Sequence, residues 1–319
     1  MNTITLADIE AAAERIGKRV RRTPCLRTRY IRKPLRAGPT MLKLECLQVT
    51  GAFKVRGANN AILQLDDAAR ARGVITASGG NHGIAVSYAA HASGCPAVIY
   101  LPGNSPADKA ERCRAWGAEV VVEGEVWDDA EKAALARSES DGLSYIHPFA
   151  DPAVIAGQGT IGREMLKQSP DIDVIVAGIG GGGMIAGIAI AAKTIKPEIR
   201  VIGVEAVGAP TLSRSLAAGG LVTLDRVDTG ANTLAPKRSA ELNFDIIREH
   251  VDDIVLVTDD EMRRAAEWLW FEMSQSIELA GAAAVAAIQT GKVRASDEQI
   301  VAAVVCGTGT AGLGGVNAA

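Results

Sequence analysis

Aromatic residues are scarce, 4% of a 319-residue chain, so the core must be built from Ala, Val and Ile rather than from stacked rings. Cysteine is nearly as sparing. The five thiols at Cys25, Cys46, Cys95, Cys113 and Cys306 form no CxxC pair, which excludes a disulfide framework and a thiolate zinc site and fits a reducing compartment. No charge of one sign dominates: 34 Lys and Arg stand against 37 Asp and Glu, a net charge of −3, so no strong field exists for nucleic acid or anionic lipid. The start, MNTITLADIEAAAERI, places acids before any apolar block and lacks a basic n-region, so it is not expected to be a signal or transit peptide. The cytoplasm is the expected location. The longest uncharged run, Val174 to Ala192, is interrupted by four consecutive glycines, each unfavourable by about 1 kcal/mol inside a helix, and is predicted to be strand, loop and helix rather than a membrane span.

What is present is apolar mass and glycine. With 48% hydrophobic residues, 22% charged residues and 34 glycines, the chain is a globular α/β protein with enough length for two domains of roughly 150 residues. Thr5 is placed to cap a first helix carrying Ile9, Ala12 and Ile16 at helical spacing, and the basic run KRVRRTP after it is expected to be solvated surface. Short β-like runs then alternate with Ala-rich helices: VITAS, AVIYLP and AEVVVEG in one series, then DVIVAG, RVIGVEA, DIVLV and IVAAVV in a second. This is the rhythm of doubly wound parallel sheets. Asp151 and Pro152 mark the crossing between the series, giving a large domain from 1–71 and 151–319 and a small α/β domain from 72–150.

Three segments carry groups suited to chemistry. In DVIVAGIGGGGMIAG a strand runs through glycines into a helix, which presents backbone N–H groups at a positive helix end and makes an anion cradle. Gly178, Gly180 and Gly183 also satisfy GxGxxG, with Glu205 at the end of the next strand, so a dinucleotide-binding oxidoreductase stays open beside a phosphate-monoester site. In TGAFKVRGA, small and apolar neighbours would let Lys54 lie buried, lowering its amine pKa into a nucleophilic range. In TASGGNHGIAV, Ser78, Asn81 and His82 stand at a strand-to-helix turn suited to a substrate carboxylate, with Asn81 and His82 as donors.

These segments, together with HPFADPAVIAGQG, ELNFDIIREHVDDIVLVTDDEM and the terminal VVCGTG, resemble the fold-type II pyridoxal-phosphate enzymes along nearly the whole chain. The likeness is to the threonine/serine dehydratase and serine racemase group. It implies two doubly wound parallel-sheet domains of the tryptophan synthase β-like type, with pyridoxal 5'-phosphate as cofactor. It also implies that Lys54 bonds the cofactor, Phe53 lies against its ring, Asn81 meets the ring hydroxyl, Gly180, Gly181, Gly182, Gly183 and Met184 cradle the phosphate, and Cys306 faces the pyridine nitrogen, with Thr308 as a rival.

The chain departs from the family pattern at several positions that bear on its reaction. Gly79 stands where racemases carry a serine on the face opposite the lysine, which leaves that face without a hydroxyl and implies elimination over racemisation. Glu205 is a candidate ligand for a divalent cation, but Thr211 replaces the second carboxylate, so no metal site is assigned. TGANTLAPKR and IELAGAAA replace the more usual ADGLAVKR and EPSGAAA, leaving Glu278 near the ring by analogy. The expected activity is removal of the β-hydroxyl and then the amine from a small L-3-hydroxy amino acid of threonine or serine type, by a cytoplasmic homodimer or higher homo-oligomer. A 3-hydroxyaspartate or hydroxyectoine-pathway dehydratase, a serine racemase, a nicotinamide oxidoreductase and a non-catalytic amino-acid-binding protein are the alternatives.

Overall fold

Continuous runs of β-branched and small residues build two sheets in the computed structural model, which describes residues 4–29, 31–103, 105–310 and 312. In chain order the strands are β1 Cys25–Arg27, β2 Thr40–Leu44, β3 Val74–Ala77, β4 Ala97–Leu101, β5 Glu119–Val122, β6 Ser144–Tyr145, β7 Val174–Gly178, β8 Arg200–Ala206, β9 Asp253–Val257 and β10 Val301–Val305. One sheet has the order β1-β2-β10-β7-β8-β9 and the other β5-β4-β3-β6. All neighbours run parallel except β1, which pairs antiparallel with β2 at the sheet edge. Every residue of β7 and β10 is buried, as expected of central strands covered by helices on both faces. The edge strands β5 and β9 are partly open. At three and two residues, β1 and β6 are too short to carry a periodic signal in the sequence.

The first helix, Leu6–Ile16, begins where Thr5 accepts from the Asp8 N–H at 3.4 Å and Asp8 accepts from the Thr5 N–H at 2.8 Å, a reciprocal cap. Within the basic run after it Arg19 is half-buried and donates to the Ala92 carbonyl, whereas Arg21 and Arg22 are exposed, Arg21 donating to the Leu47 carbonyl. Val174 to Ala192 is β7, a glycine loop and most of the helix Gly183–Ile195, and no helix among the described residues is long and apolar enough to cross a membrane.

Three helices fix the relation between the parts. Lys54–Gln64 leaves the six-stranded sheet, Pro152–Gln168 returns to it, and Gly183–Ile195 follows β7. They touch backbone to backbone through glycine. A Cβ on Gly157 would lie 2.6 Å from the Gly57 Cα, and one on Gly187 would lie 2.6 Å from the Gly159 nitrogen. Any side chain at these points would force the helices apart.

Beside this crossing lies an ionic cluster. The Arg56 guanidinium is fully buried and donates to both Glu45 oxygens at 2.8 Å, and to Glu164 at 2.8 and 2.9 Å. Glu164 also accepts from buried Lys43 at 2.8 Å, and Thr23 donates to Glu45. A charge this far from water requires every partner. Glu45→Ala, which leaves Arg56 half-paired, should lower stability by about 3–5 kcal/mol in urea unfolding. A loss within the range of a surface ion pair, below about 1 kcal/mol, would show that the cluster is not a structural anchor.

Candidate active site

A cavity of about 410 Å³ opens at the carboxyl ends of β7 and β10 in one sheet and of β3 and β4 in the other. That is where strand ends and helix starts leave backbone N–H groups free for a ligand. Trp127 closes part of its rim, with its indole N–H donating to the Ala77 carbonyl at 2.9 Å.

Lys54 is the first residue of the helix Lys54–Gln64, and its side chain reaches the cavity. Its amine donates to the Pro148 carbonyl at 2.6 Å and lies 5.3 Å from the centre of the Phe53 ring. Dense packing disfavours the ammonium form and pulls the pKa down to about 8, with Cys306 acting the other way. The source of that depression is desolvation at the amine, while the residue as a whole is half-buried rather than fully buried. Phe53 also lines the cavity, and its N–H donates to the Cys306 carbonyl at 3.2 Å, which ties the lysine turn to the end of β10.

Gly180, Gly181, Gly182, Gly183 and Met184 all line the cavity, and Gly182 takes φ +93°, a conformation natural to glycine. Among the described residues no acceptor takes the N–H groups of Gly180, Gly181 or Gly182. With the first amides of the helix Gly183–Ile195 they offer a set of donors at a positive helix end, suited to a compact anion such as a phosphate monoester. The glycines are also required by packing against protein. A Cβ on Gly181 would run into the Phe149 ring, one on Gly180 would lie 2.6 Å from the Thr233 carbonyl oxygen, and one on Gly183 would lie 2.5 Å from the Phe149 carbonyl oxygen. Two residues that no sequence motif marked orient this loop. Asn243 and Ser239 donate to the Gly181 carbonyl at 2.6 and 2.9 Å. The signal for Asn243 lay in ELNFDIIREH, a matched segment in which nothing local marks Asn243 as more than a helical polar residue.

Across the cavity, the helix Asn81–His91 starts after Ser78, Gly79 and Gly80. Ser78, Asn81 and His82 all line the cavity. The His82 ring is buried with Nε2 at 3.0 Å from the Ile146 carbonyl, and Nδ1 has no partner among the described residues. Burial, then the nearby Lys54, pull its pKa down to about 3, so the ring is neutral and its one proton is committed to Ile146. This corrects the expectation of a side-chain donor at His82: what it can offer a carboxylate is its backbone N–H in the first turn of the helix. The Asn81 side chain donates to Glu278 at 2.7 Å and accepts from Lys109 at 3.2 Å. Glu278 thus reaches the cavity, as the resemblance implied, whereas no motif pointed to Lys109.

Cys306 lines the cavity and Thr308 does not; the Thr308 hydroxyl donates to the Ser276 carbonyl at 2.8 Å. Burial, then the Glu278 carboxylate, push the Cys306 thiol up to about 12, so it stays protonated. Glu205 lies outside the cavity lining, at the end of β8. It is buried, and its two oxygens accept from the N–H groups of Leu212 and Ser213 at 2.7 and 2.9 Å, which caps the helix Thr211–Ala218. The Thr211 hydroxyl donates to the Pro236 carbonyl. Each Glu205 oxygen thus accepts one N–H within the fold, and among the described residues no three His, Cys, Asp or Glu side chains come together.

The bare wall expected at Gly79 is filled. A Cβ on Gly79 would overlap the Ser105 hydroxyl and lie 3.2 Å from the Ser105 Cβ. The Ser105 oxygen is covered and has no hydrogen-bond partner among the described residues. A second segment, the turn after β4, has taken the space that a residue-79 side chain would use.

The family model described as "Pyridoxal-phosphate dependent enzyme" matches residues 16–307. The chain is 40% identical over 285 residues to the L-threonine ammonia-lyase of Thermotoga maritima, covering 89% of this chain and 71% of that protein. Among solved structures it is similar to maize serine racemase, with a TM-score of 0.90, 35% identity and coverage of 95% and 93% of the two chains. It is also similar to the processed form of threonine deaminase isoform 2 of Solanum lycopersicum, with a TM-score of 0.89, 36% identity and coverage of 95% and 83%.

The Gly79 and Ser105 contact predicts a coupled pair. Gly79→Ala should destabilise by about 1–3 kcal/mol, as overpacking does, and adding Ser105→Ala should recover most of that loss in a double-mutant cycle read by thermal unfolding. Strict additivity would show that the two residues do not share the space.

Proposed function

The chain belongs to the pyridoxal-phosphate-dependent enzymes, and we propose on that basis that it is an ammonia-lyase acting on a small L-3-hydroxy amino acid, with threonine or serine as substrate and a 2-oxo acid and ammonia as products. One observation carries the reading at this site. A lysine amine with its pKa pulled down to about 8 shares a cavity with a loop of free backbone amides and a neutral thiol. This set fits a phosphorylated pyridine aldehyde: an amine for its carbonyl, an anion cradle for its phosphate, and an uncharged partner for its ring nitrogen.

In this reading the amides of Gly180, Gly181, Gly182, Gly183 and Met184 would hold the phosphate, supported by the positive end of their helix. Phe53 would flank the ring, and Asn81 would donate to its hydroxyl. Lys54 would hold the cofactor through Nζ and, released by the incoming substrate, would take the proton from the substrate Cα. When bound, pyridoxal phosphate supplies an electron sink for the charge left at that carbon. Cys306, held as a thiol, would not keep the ring nitrogen protonated, which moderates the sink and favours rapid elimination over transamination. Ser78, Asn81 and His82 would receive the substrate carboxylate at the start of their helix, His82 through its backbone N–H. The two sheets support the proposed division into a large domain of 1–71 with 151–319 and a small domain of 72–150.

Lys54→Ala should abolish both ammonia release from L-threonine and L-serine and the visible absorption band of the bound cofactor, with an unchanged far-ultraviolet dichroism spectrum. Comparable ammonia release by the variant would refute the assignment of Lys54. A screen of L- and D-serine, L-threonine and 3-hydroxyaspartate for 2-oxo acid, with chiral analysis of the remaining substrate, separates the lyase reading from a racemase. Inversion faster than elimination would overturn the lyase reading.

A further inference from the structure

The Asn81 carboxamide is gripped from both sides by residues of different segments. Lys109, on the helix Ala107–Ala115 that follows β4, donates its ammonium proton to Asn81 Oδ1 at 3.2 Å. Glu278, on the turn entering Leu279–Ala282 beside the other sheet, accepts from Asn81 Nδ2 at 2.7 Å, and the Thr233 hydroxyl approaches the same Glu278 oxygen at 3.5 Å. Asn81 is buried, Lys109 and Glu278 are half-buried, and Asn81 and Glu278 line the cavity.

An asparagine amide has two ends of nearly equal size, and left to itself either could face a ligand. An ammonium has donors and no acceptor, so Lys109 demands the oxygen end whatever the charge on Glu278. Glu278 then takes one of the two Nδ2 hydrogens, and the second is left for the cavity. We propose that Lys109 and Glu278 are positioning residues that fix the Asn81 amide so that it presents an N–H, never a carbonyl, to the ring oxygen of the bound cofactor. The inference rests on the reading of the cavity as a pyridoxal-phosphate site.

The chemical consequence is specific. A donor N–H favours the ring oxygen as an oxyanion, whereas a carbonyl in the same place would require it to keep its proton. The same grip joins the helix after β4 to the turn beside β10, so the two sheets must be in register for Asn81 to be set correctly.

The test compares holoenzyme carrying Lys109→Met, Lys109→Arg and Glu278→Gln with the unmodified protein, reading the visible against the near-ultraviolet cofactor absorption without substrate, then kcat and KM for L-threonine. Lys109→Met should shift absorption toward the near-ultraviolet and lower kcat about ten- to a hundredfold, the loss expected for a charge-assisted hydrogen bond. Lys109→Arg, which keeps donors only, should restore the spectrum and most of kcat. Glu278→Gln, which retains an acceptor, should fall between. An unchanged spectrum in Lys109→Met, or a rise in KM alone, would overturn the proposal, the latter by making Lys109 a direct substrate ligand. So would a loss that Lys109→Arg fails to restore. If Lys109→Met does not fold, the Lys109→Arg and Glu278→Gln spectra decide: a normal band in the first with a shifted band in the second supports the grip, and any other pattern refutes it. Absence of any cofactor band in the unmodified protein would instead count against the reading of the site itself.

Discussion

The site depends on how the first turn of the helix Lys54–Gln64 is held. Its lysine must point into a cavity shared by two sheets, and three constraints act within four residues of it. Phe53 is bonded to the end of β10 through Cys306, Arg56 is clamped by Glu45 and Glu164, and Gly57 lies against Gly157 with no side chain between them. A fully buried guanidinium is a poor source of net stability, because its desolvation offsets much of what its partners return, but it tolerates very few arrangements. Here that intolerance sets the azimuth of one helix, and so the direction of one amine.

The glycine loop answers to two demands at once. Its amides are left without acceptors among the described residues, as the proposed anion cradle needs, and its Cα atoms pass close to Phe149 and to the Thr233 carbonyl. Asn243 and Ser239 meet the first demand indirectly. By binding the Gly181 carbonyl they turn the peptide so that its N–H side is left to the cavity. Preorganised donors of this kind need no rearrangement when charge arrives, which is where electrostatic stabilisation in a closed site is most effective.

Much of this could be read from the chain alone, and the reasons differ by element. Strands β7 and β10 were legible because a strand covered on both faces must be apolar throughout, and Thr5 because a capping box has a fixed spacing. Lys54, Asn81, Cys306 and the glycines were legible because their order along the chain follows a known pattern. Lys109, Ser105 and Asn243 were not, since each acts on a residue 26 to 62 positions away through a contact that only the fold creates. His82 was legible as a residue of the cavity lining but not in its hydrogen bonding, because which ring nitrogen holds the proton is decided by the Ile146 carbonyl of another strand end. For Glu205 sequence places a carboxylate at a strand end, and only the structure shows the two helix amides that it accepts from.

Trp127 gives the molecule an optical handle on its own chemistry. Of the four tryptophans, Trp268 is buried with its N–H on the Lys33 carbonyl, Trp116 packs edge-on to Tyr88, and Trp270 is exposed, whereas Trp127 stands at the cavity rim with its N–H pinned to the end of β3. An indole held in one orientation beside an absorbing guest transfers its excitation to that guest with little angular averaging. Quenching of Trp127 would therefore report occupancy of the site through an indole of fixed orientation.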